Sequence, residues 1–166
     1  GLLAEHSTGW MGLPGLLGHR AGRQWSTQFD VTTVSSSNDQ DGTQRVVIDA
    51  ADPDAGLRLV LTLELLPAGV LRTRATLTST VEKAGAPYTV DGLAVSLPVP
   101  TRATELLDFT GRHLRERHPQ RRRFDVGSWV RDNRRGRTGA DATMLLTAGT
   151  TGFGFGHGEV WSVHTA

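Results

Sequence analysis

The residues able to do acid–base chemistry come first. Glu64, Glu105, Asp108, Glu116, Asp125 and Asp141 are candidate carboxylates. Glycoside hydrolysis uses two such groups, one as acid and one as nucleophile or base. Here most of them sit beside arginines or in turns, where salt bridges and Asx-turns account for them. No spacing singles out two. The histidines His6, His19, His113, His118, His157 and His164 show neither His-x-His nor His-Glu-x-x-His spacing, and the chain has no cysteine. Those absences leave no thiolate site and no recognisable zinc pattern, so neither metal nor cofactor is expected. No Gly-x-Ser-x-Gly elbow is present, which removes the usual sign of a serine nucleophile.

Two stretches invite other chemistry. Residues 112–123 (RHLRERHPQRRR) are dense in arginine. Such a run could contact phosphates, but it has no interleaved aromatic, and the whole chain carries a formal charge of only +1. Electrostatic affinity for nucleic acid needs several uncompensated cations, so a solvated or subunit-facing loop is the expectation and nucleic acid is not an expected partner. Gly152, Gly154, Gly156 and Gly158 alternate with Phe153, Phe155 and His157. A dinucleotide fingerprint requires a strand, a tight turn and a helix. Period-two glycines followed by another strand fit a close backbone approach instead, with Phe153 and Phe155 toward the core. Among the tryptophans, Trp161 is expected in the core with Val163. Trp10 lies in the Gly-rich loop Thr8-Gly9-Trp10-Met11-Gly12 and is the better candidate for a site or interface.

The elements that would position these groups are strands. Leu57, Leu59, Leu61, Leu63 and Leu65 alternate with polar or smaller residues, the mark of a strand with one buried face. A turn at residues 66–69 separates it from Leu71, Thr73, Ala75 and Leu77 on one face and Arg72, Arg74, Thr76 and Thr78 on the other. Residues 45–50 predict a short strand closed by a turn at 52–56. Leu93, Val95, Leu97 and Val99 predict another. Residues 124–130, 144–148 and 159–164 are further strand candidates. Residues 35–43 predict a polar turn, and 104–117 predict a long loop. No segment carries a sustained helical stripe. The expectation is an all-β antiparallel sandwich.

The totals are consistent with that. The chain has 166 residues, one domain's worth. Lys83 is its only lysine. No apolar run approaches the ~20 residues of a membrane helix, so no membrane partner is expected. Absence of cysteine fits a cytoplasmic location. The chain opens at Gly1 without methionine, so its native N-terminus is expected upstream.

Several motifs, in order, resemble one family. Leu2-Leu3-Ala4-Glu5-His6, Gly12-Leu13-Pro14-Gly15 and Gly18-His19-Arg20 are similar to its opening. Gly111-Arg112-His113-Leu114-Arg115-Glu116-Arg117 is similar to its Gly-x-Trp-Gly-Arg-Glu-Arg segment. Asn133-Arg134-Arg135-Gly136 and Gly158-Glu159-Val160-Trp161 continue the series. The set resembles the N-terminal domain of bacterial α-galactosidases of glycoside hydrolase family 36.

That resemblance implies a β-supersandwich of the galactose-mutarotase type, here short of its first strands and so with an open edge. It implies that a (β/α)8 barrel carrying two catalytic aspartates follows residue 166, and that this chain holds no catalytic residue. The domain would shape the rim of the active site and support a homo-oligomer, meeting galactosides only in the full-length enzyme. His113 stands where the family has a tryptophan, and Leu114 where it has a glycine. His113 either meets the sugar or faces solvent or a neighbouring subunit. Trp10, Arg115, Arg117, Arg134 and Arg135 are rim or interface candidates. The alternative is a free-standing carbohydrate-binding sandwich using Trp10 or Trp129.

Overall fold

The computed structural model describes residues 1–81, 85–132, 139 and 145–165. Two compact units divide it, Gly1–Leu97 and Pro98–Ala166. Every strand pairing is antiparallel, and the described residues contain no α-helix, only a 3-10 turn at His6–Thr8.

The first unit contains β1 (Leu16–His19), β2 (Asp30–Asn38), β3 (Gln44–Asp52), β4 (Leu57–Leu65), β5 (Leu71–Ser79) and β6 (Thr89–Leu93). The order β2-β3-β4-β5 makes a meander, and β1 pairs with β6 in a second sheet. The leucine alternation sets the β4–β5 register: Leu59 lies opposite Leu77, Leu61 opposite Ala75 and Leu65 opposite Leu71. Shifting by one residue would turn the leucines to solvent, so this register is strongly specified. Leu16, Ala55 and Leu57 form the core, with Phe29, Leu77, Tyr88 and Leu93 packed on it. Residues of both sheets therefore meet over the β3–β4 end of the meander. Each fully buried leucine there contributes about 1.5–3 kcal/mol.

The β3–β4 turn is closed by Asp52, whose Oδ1 accepts the Ala55 N–H at 2.8 Å. Gly56 in that turn has φ +60°, and a Cβ on it would come 2.4 Å from Val81 Cγ1. Only glycine satisfies both conditions at no steric cost.

The second unit contains β7 (Glu105–Arg112), β8 (Arg115–Arg123), β9 (Leu145–Gly149) and β10 (Val160–His164), in the order β10-β9-β7-β8. Its buried residues around β7 and β9 include Leu106, Asp108, Thr147, Ala148 and Phe153, with Ala103.

Several expectations are corrected. Residues 104–117 are not a long loop but β7, a tight turn and the start of β8. Ser35 to Asn38 belong to β2, so the polar turn is confined to residues 39–43. The strand expected at 93–99 ends at Leu93, although the Ala94 and Ser96 N–H groups still donate to Gly15 and Leu2. Pro98 and Pro100 have no N–H with which to continue a ladder. Residues 124–130 are not a strand. Phe153 is buried as expected, but Phe155 is fully exposed. Trp161 is half-buried while its expected companion Val163 is 50% exposed.

The tight glycines in this region are Gly149 and Gly158. A Cβ on either would strike Phe153, at 2.3 Å and 2.7 Å respectively. Within the glycine series the close approach is at Gly158, where a Cβ would meet Phe153 Cβ at 2.7 Å and its Cα at 2.9 Å.

Candidate functional site

Two places hold the residues that the sequence singles out, one in each unit.

In the first unit the Trp10 loop is anchored by Glu5. This buried carboxylate accepts the Phe29 N–H at 3.0 Å and lies 3.4 Å from the Thr27 hydroxyl. Asp52 Oδ2 accepts the Gln28 N–H at 2.8 Å, so two carboxylates grip residues 27–29. Desolvation pushes the Glu5 carboxyl above its ordinary range, and the charges of Asp52 and Asp30 add to it, against the hydrogen bonds from Phe29 and Thr27. After the 3-10 turn, the Trp10 indole N–H donates to Leu13 O at 3.0 Å. His6 Nδ1 lies 2.8 Å from Trp10 O. A Cβ on Gly12 would come within 3.0 Å of the indole, so the ring rests against that glycine. The Trp10 ring is half-exposed, and Met11, Leu13 and Trp25 are also exposed nearby in sequence or contact. Trp25 meets His6 edge-on at 6.3 Å. The loop therefore presents the Trp10 ring, held by a backbone hydrogen bond.

In the second unit, β7 and β8 form a hairpin whose two connecting residues are His113 and Leu114. The His113 side chain is 91% exposed and 3.9 Å from Glu116 Oε1. Glu116 Oε1 also accepts the Leu114 N–H at 2.8 Å. Leu114 has φ +66° and Arg117 φ +52°, left-handed positions that cost a side chain energy and that glycine takes freely. Arg112 lies opposite Arg115 across the hairpin. Arg112, Arg115 and Arg117 are exposed and make no ion pair among the described residues. Thr110, Gly111, Arg112, Arg115 and His118 line a shallow depression there.

Two further arginines of the run lie over aromatic rings. The Arg121 guanidinium lies 4.0 Å from the centre of the Phe153 ring and 3.5 Å from Glu105 Oε2. Arg122 lies 3.3 Å from the centre of the Trp129 ring. As neighbours on a strand, Arg121 and Arg122 point to opposite faces of the sheet, and each covers an aromatic there. This accounts structurally for two of the six arginines in the run.

Asp108, at the centre of β7, is almost wholly buried. Its carboxylate accepts the Trp129 indole N–H at 2.9 Å and two bonds from Arg131 at 2.9 and 2.8 Å. Residues 129–131 are thereby fastened to the sheet. Trp129 is held by Asp108 and lies under the Arg122 guanidinium, and the residue remains 39% exposed. Asp108 was visible in the sequence only as one carboxylate among several. Its partners lie 21 and 23 residues away.

The other candidate carboxylates have local duties. Glu64 pairs with Arg45 at 3.0 Å and Arg72 at 3.4 Å, and Glu105 faces Arg121. Asp125 is exposed. Asp141, Arg134 and Arg135, with the motif around them, lie outside the described residues. Among the described residues no three of His, Asp and Glu come together as a donor set for a metal.

The described residues form antiparallel sheets, and their candidate carboxylates are mostly tied to arginines, backbone amides or an indole. The chain's exposed features are a tryptophan loop and an arginine-rich hairpin tip. The chain belongs to the family described as the glycosyl hydrolase family 36 N-terminal domain, whose profile matches residues 2–166. It is 38% identical, over 164 residues, to an α-galactosidase of Escherichia coli, an alignment that covers 98% of this chain and 22% of that protein. Among solved structures it resembles the α-galactosidase of Lactobacillus brevis, with a TM-score of 0.73, 18% identity, and coverage of 90% of this chain and 22% of the other. It also resembles the family 36 α-galactosidase AgaA A355E of Geobacillus stearothermophilus, with a TM-score of 0.71, 17% identity, and coverage of 84% and 21%. The chain thus spans about a fifth of the length of these relatives.

Proposed function

We propose that this chain is the non-catalytic N-terminal domain of a retaining α-galactosidase acting in the cytoplasm. The parent protein would hydrolyse terminal α-D-galactosides such as melibiose or raffinose. Its two catalytic aspartates would lie in a barrel beyond this chain. The observation that carries the reading is the 38% identity running along 98% of the chain to a fifth of an α-galactosidase. The occupied state of Glu64 and Asp108 supports it, because a carboxylate fastened by arginines or an indole is poorly placed to exchange protons with a substrate.

Within that enzyme the domain would form part of a supersandwich, shape the rim of the galactose pocket and support a homo-oligomer. The exposed tip with His113, Arg115 and Arg117 and the Trp10 loop are the rim or interface elements, and galactosides would be met only in the full-length protein. A second reading, a carbohydrate-binding module, is favoured by one feature. The Trp10 ring is half-exposed and fixed from behind by Gly12 and the Leu13 carbonyl.

The test is an α-galactosidase assay on nitrophenyl α-galactoside with the full-length gene product and with residues 1–166 alone. Turnover by the first and none by the second is expected. Turnover by the isolated chain that survives repurification would overturn the non-catalytic assignment. Inactivity of both, with raffinose binding by the isolated chain, would favour the second reading.

A further inference from the structure

Glu5 is a buried carboxylate with no basic partner among the described residues. Burying a charge without a counter-ion is costly. The charges that face it are those of Asp30 on β2 and Asp52 on β3, and both oppose it. A neutral side chain would cost less there, so stability alone does not explain the group.

Its bonds join two segments. Residues 5–14 form a loop closed at its neck, where the Gly15 N–H donates to Ala4 O at 2.7 Å. The Ala94 N–H donates to Gly15 O at 2.7 Å and fixes the neck to the chain that follows β6. Compact loops of this kind are packed by their own side chains. The Glu5 carbonyl serves the loop itself. It accepts the Thr8 and Trp10 N–H groups at 3.2 and 3.3 Å and the Thr8 hydroxyl at 2.9 Å. The Glu5 carboxylate reaches out of the loop to the Phe29 N–H at 3.0 Å. The Ser7 hydroxyl makes a parallel tie to Thr27 O at 2.7 Å. Phe29 in turn packs on the core of Leu16, Ala55 and Leu57. One residue therefore connects the core, through Phe29, to the backbone of Trp10.

We propose that Glu5 is a positioning residue whose carboxylate fixes where the Trp10 ring stands. The inference rests on the rim or interface role proposed above for the Trp10 loop and deepens it. The bonds from the Trp10 indole to Leu13 O and from His6 Nδ1 to Trp10 O lie within the loop. They hold the ring to the loop, not the loop to the sheet. With the neck as a hinge, the Glu5 and Ser7 ties set the angle at which the loop stands.

The test uses the full-length gene product. Hydrogen exchange is followed at the Thr8, Trp10 and Phe29 amides, with the amides of β3 and β4 as reference. Glu5→Ala is expected to speed exchange at the first group by about tenfold or more and to leave the reference unchanged. Glu5→Gln keeps an acceptor oxygen and is expected to restore protection. Equal acceleration in β3 and β4 would make Glu5 a stability element only and overturn the proposal. Unchanged exchange at Thr8 and Trp10 overturns it too. If Glu5→Ala does not fold, Glu5→Asp, whose carboxylate is one carbon short of Phe29, takes its place. Kinetics on nitrophenyl α-galactoside separate this from the rim reading. If Trp10→Ala raises KM, Glu5→Ala is expected to raise KM with kcat unchanged, and the double variant to be no worse than Trp10→Ala. Additive losses overturn the positioning role. If Trp10→Ala leaves KM unchanged, the rim reading fails for this loop, and exchange alone decides on Glu5.

Discussion

Replacing Asp108 with asparagine tests the buried anchor of the second unit. The side chain keeps its shape and one oxygen. Three bonds now converge on the carboxylate, one from Trp129 and two from Arg131. With asparagine, one amide position becomes a donor facing donors, and Arg131 loses its counter-charge. Removing one partner of a fully buried ion pair costs about 3–5 kcal/mol. The Arg131 side chain remains 24% exposed and keeps some water, which moves the expectation to about 2–3 kcal/mol. For a unit of this size that is a fall of about 10 °C or more in midpoint. Thermal and urea unfolding by circular dichroism measure it, and the loss of Trp129 from its arginine cover should shift tryptophan emission. The control is Glu159→Gln. It breaks a pair with Arg102 in which both side chains are 58% exposed, and no measurable change is expected. A loss below about 0.5 kcal/mol for Asp108→Asn would refute the idea that this carboxylate fastens residues 129–131.

Two further substitutions probe local strain and charge. Leu114→Gly should stabilise the hairpin. Relieving a left-handed leucine gains about 1–2 kcal/mol, glycine loses about 0.5–1 kcal/mol of chain entropy, and the exposed leucine buries little, so a net gain of about 0.5–1 kcal/mol is expected in urea unfolding; no gain would mean the turn relaxes around leucine. Glu5→Gln should remove a pH dependence. Burial raises the folded carboxyl's pKa, so the folded state holds its proton more tightly than the unfolded one, and that stability is present at low pH and lost as pH rises from the ordinary 4.5 through the folded value. The difference in urea midpoint between Glu5→Gln and the parent should therefore grow in favour of the variant across that window, and a flat difference would contradict the burial argument.

The sequence revealed structure wherever a strand has one wet and one dry face. β4 and β5 were readable residue by residue, because Leu57, Leu59 and Leu61 are buried while Arg58 and Arg74 are not. β2 hides because it has no dry face: all nine residues are exposed, and its second half, residues 35–38, reads as part of a polar turn. β7 hides for the opposite reason. Its buried face alternates Leu106 with Asp108, and a carboxylate in a core position breaks the apolar period on which the reading depends. Only knowledge of Trp129 and Arg131 in space makes that aspartate intelligible.

The same distinction governs the candidate site. A charge run is ambiguous in sequence because a cation over an aromatic ring and a cation awaiting a ligand are written with the same letter. Arg121 and Arg122 are resolved by partners on the two faces of the sheet, Phe153 and Trp129, neither of which is adjacent in the chain. Arg112, Arg115 and Arg117 have no such ring and no ion pair among the described residues. They gather at the hairpin tip with His113, where two arginines face each other across the strands. Like charges placed opposite weaken a hairpin, and so does a left-handed leucine in its turn. A tip that carries both penalties is poorly explained by the stability of the hairpin alone. That is the physical reason for proposing residues 112–117 as a rim or interface element, whatever the remainder of the arginine run does.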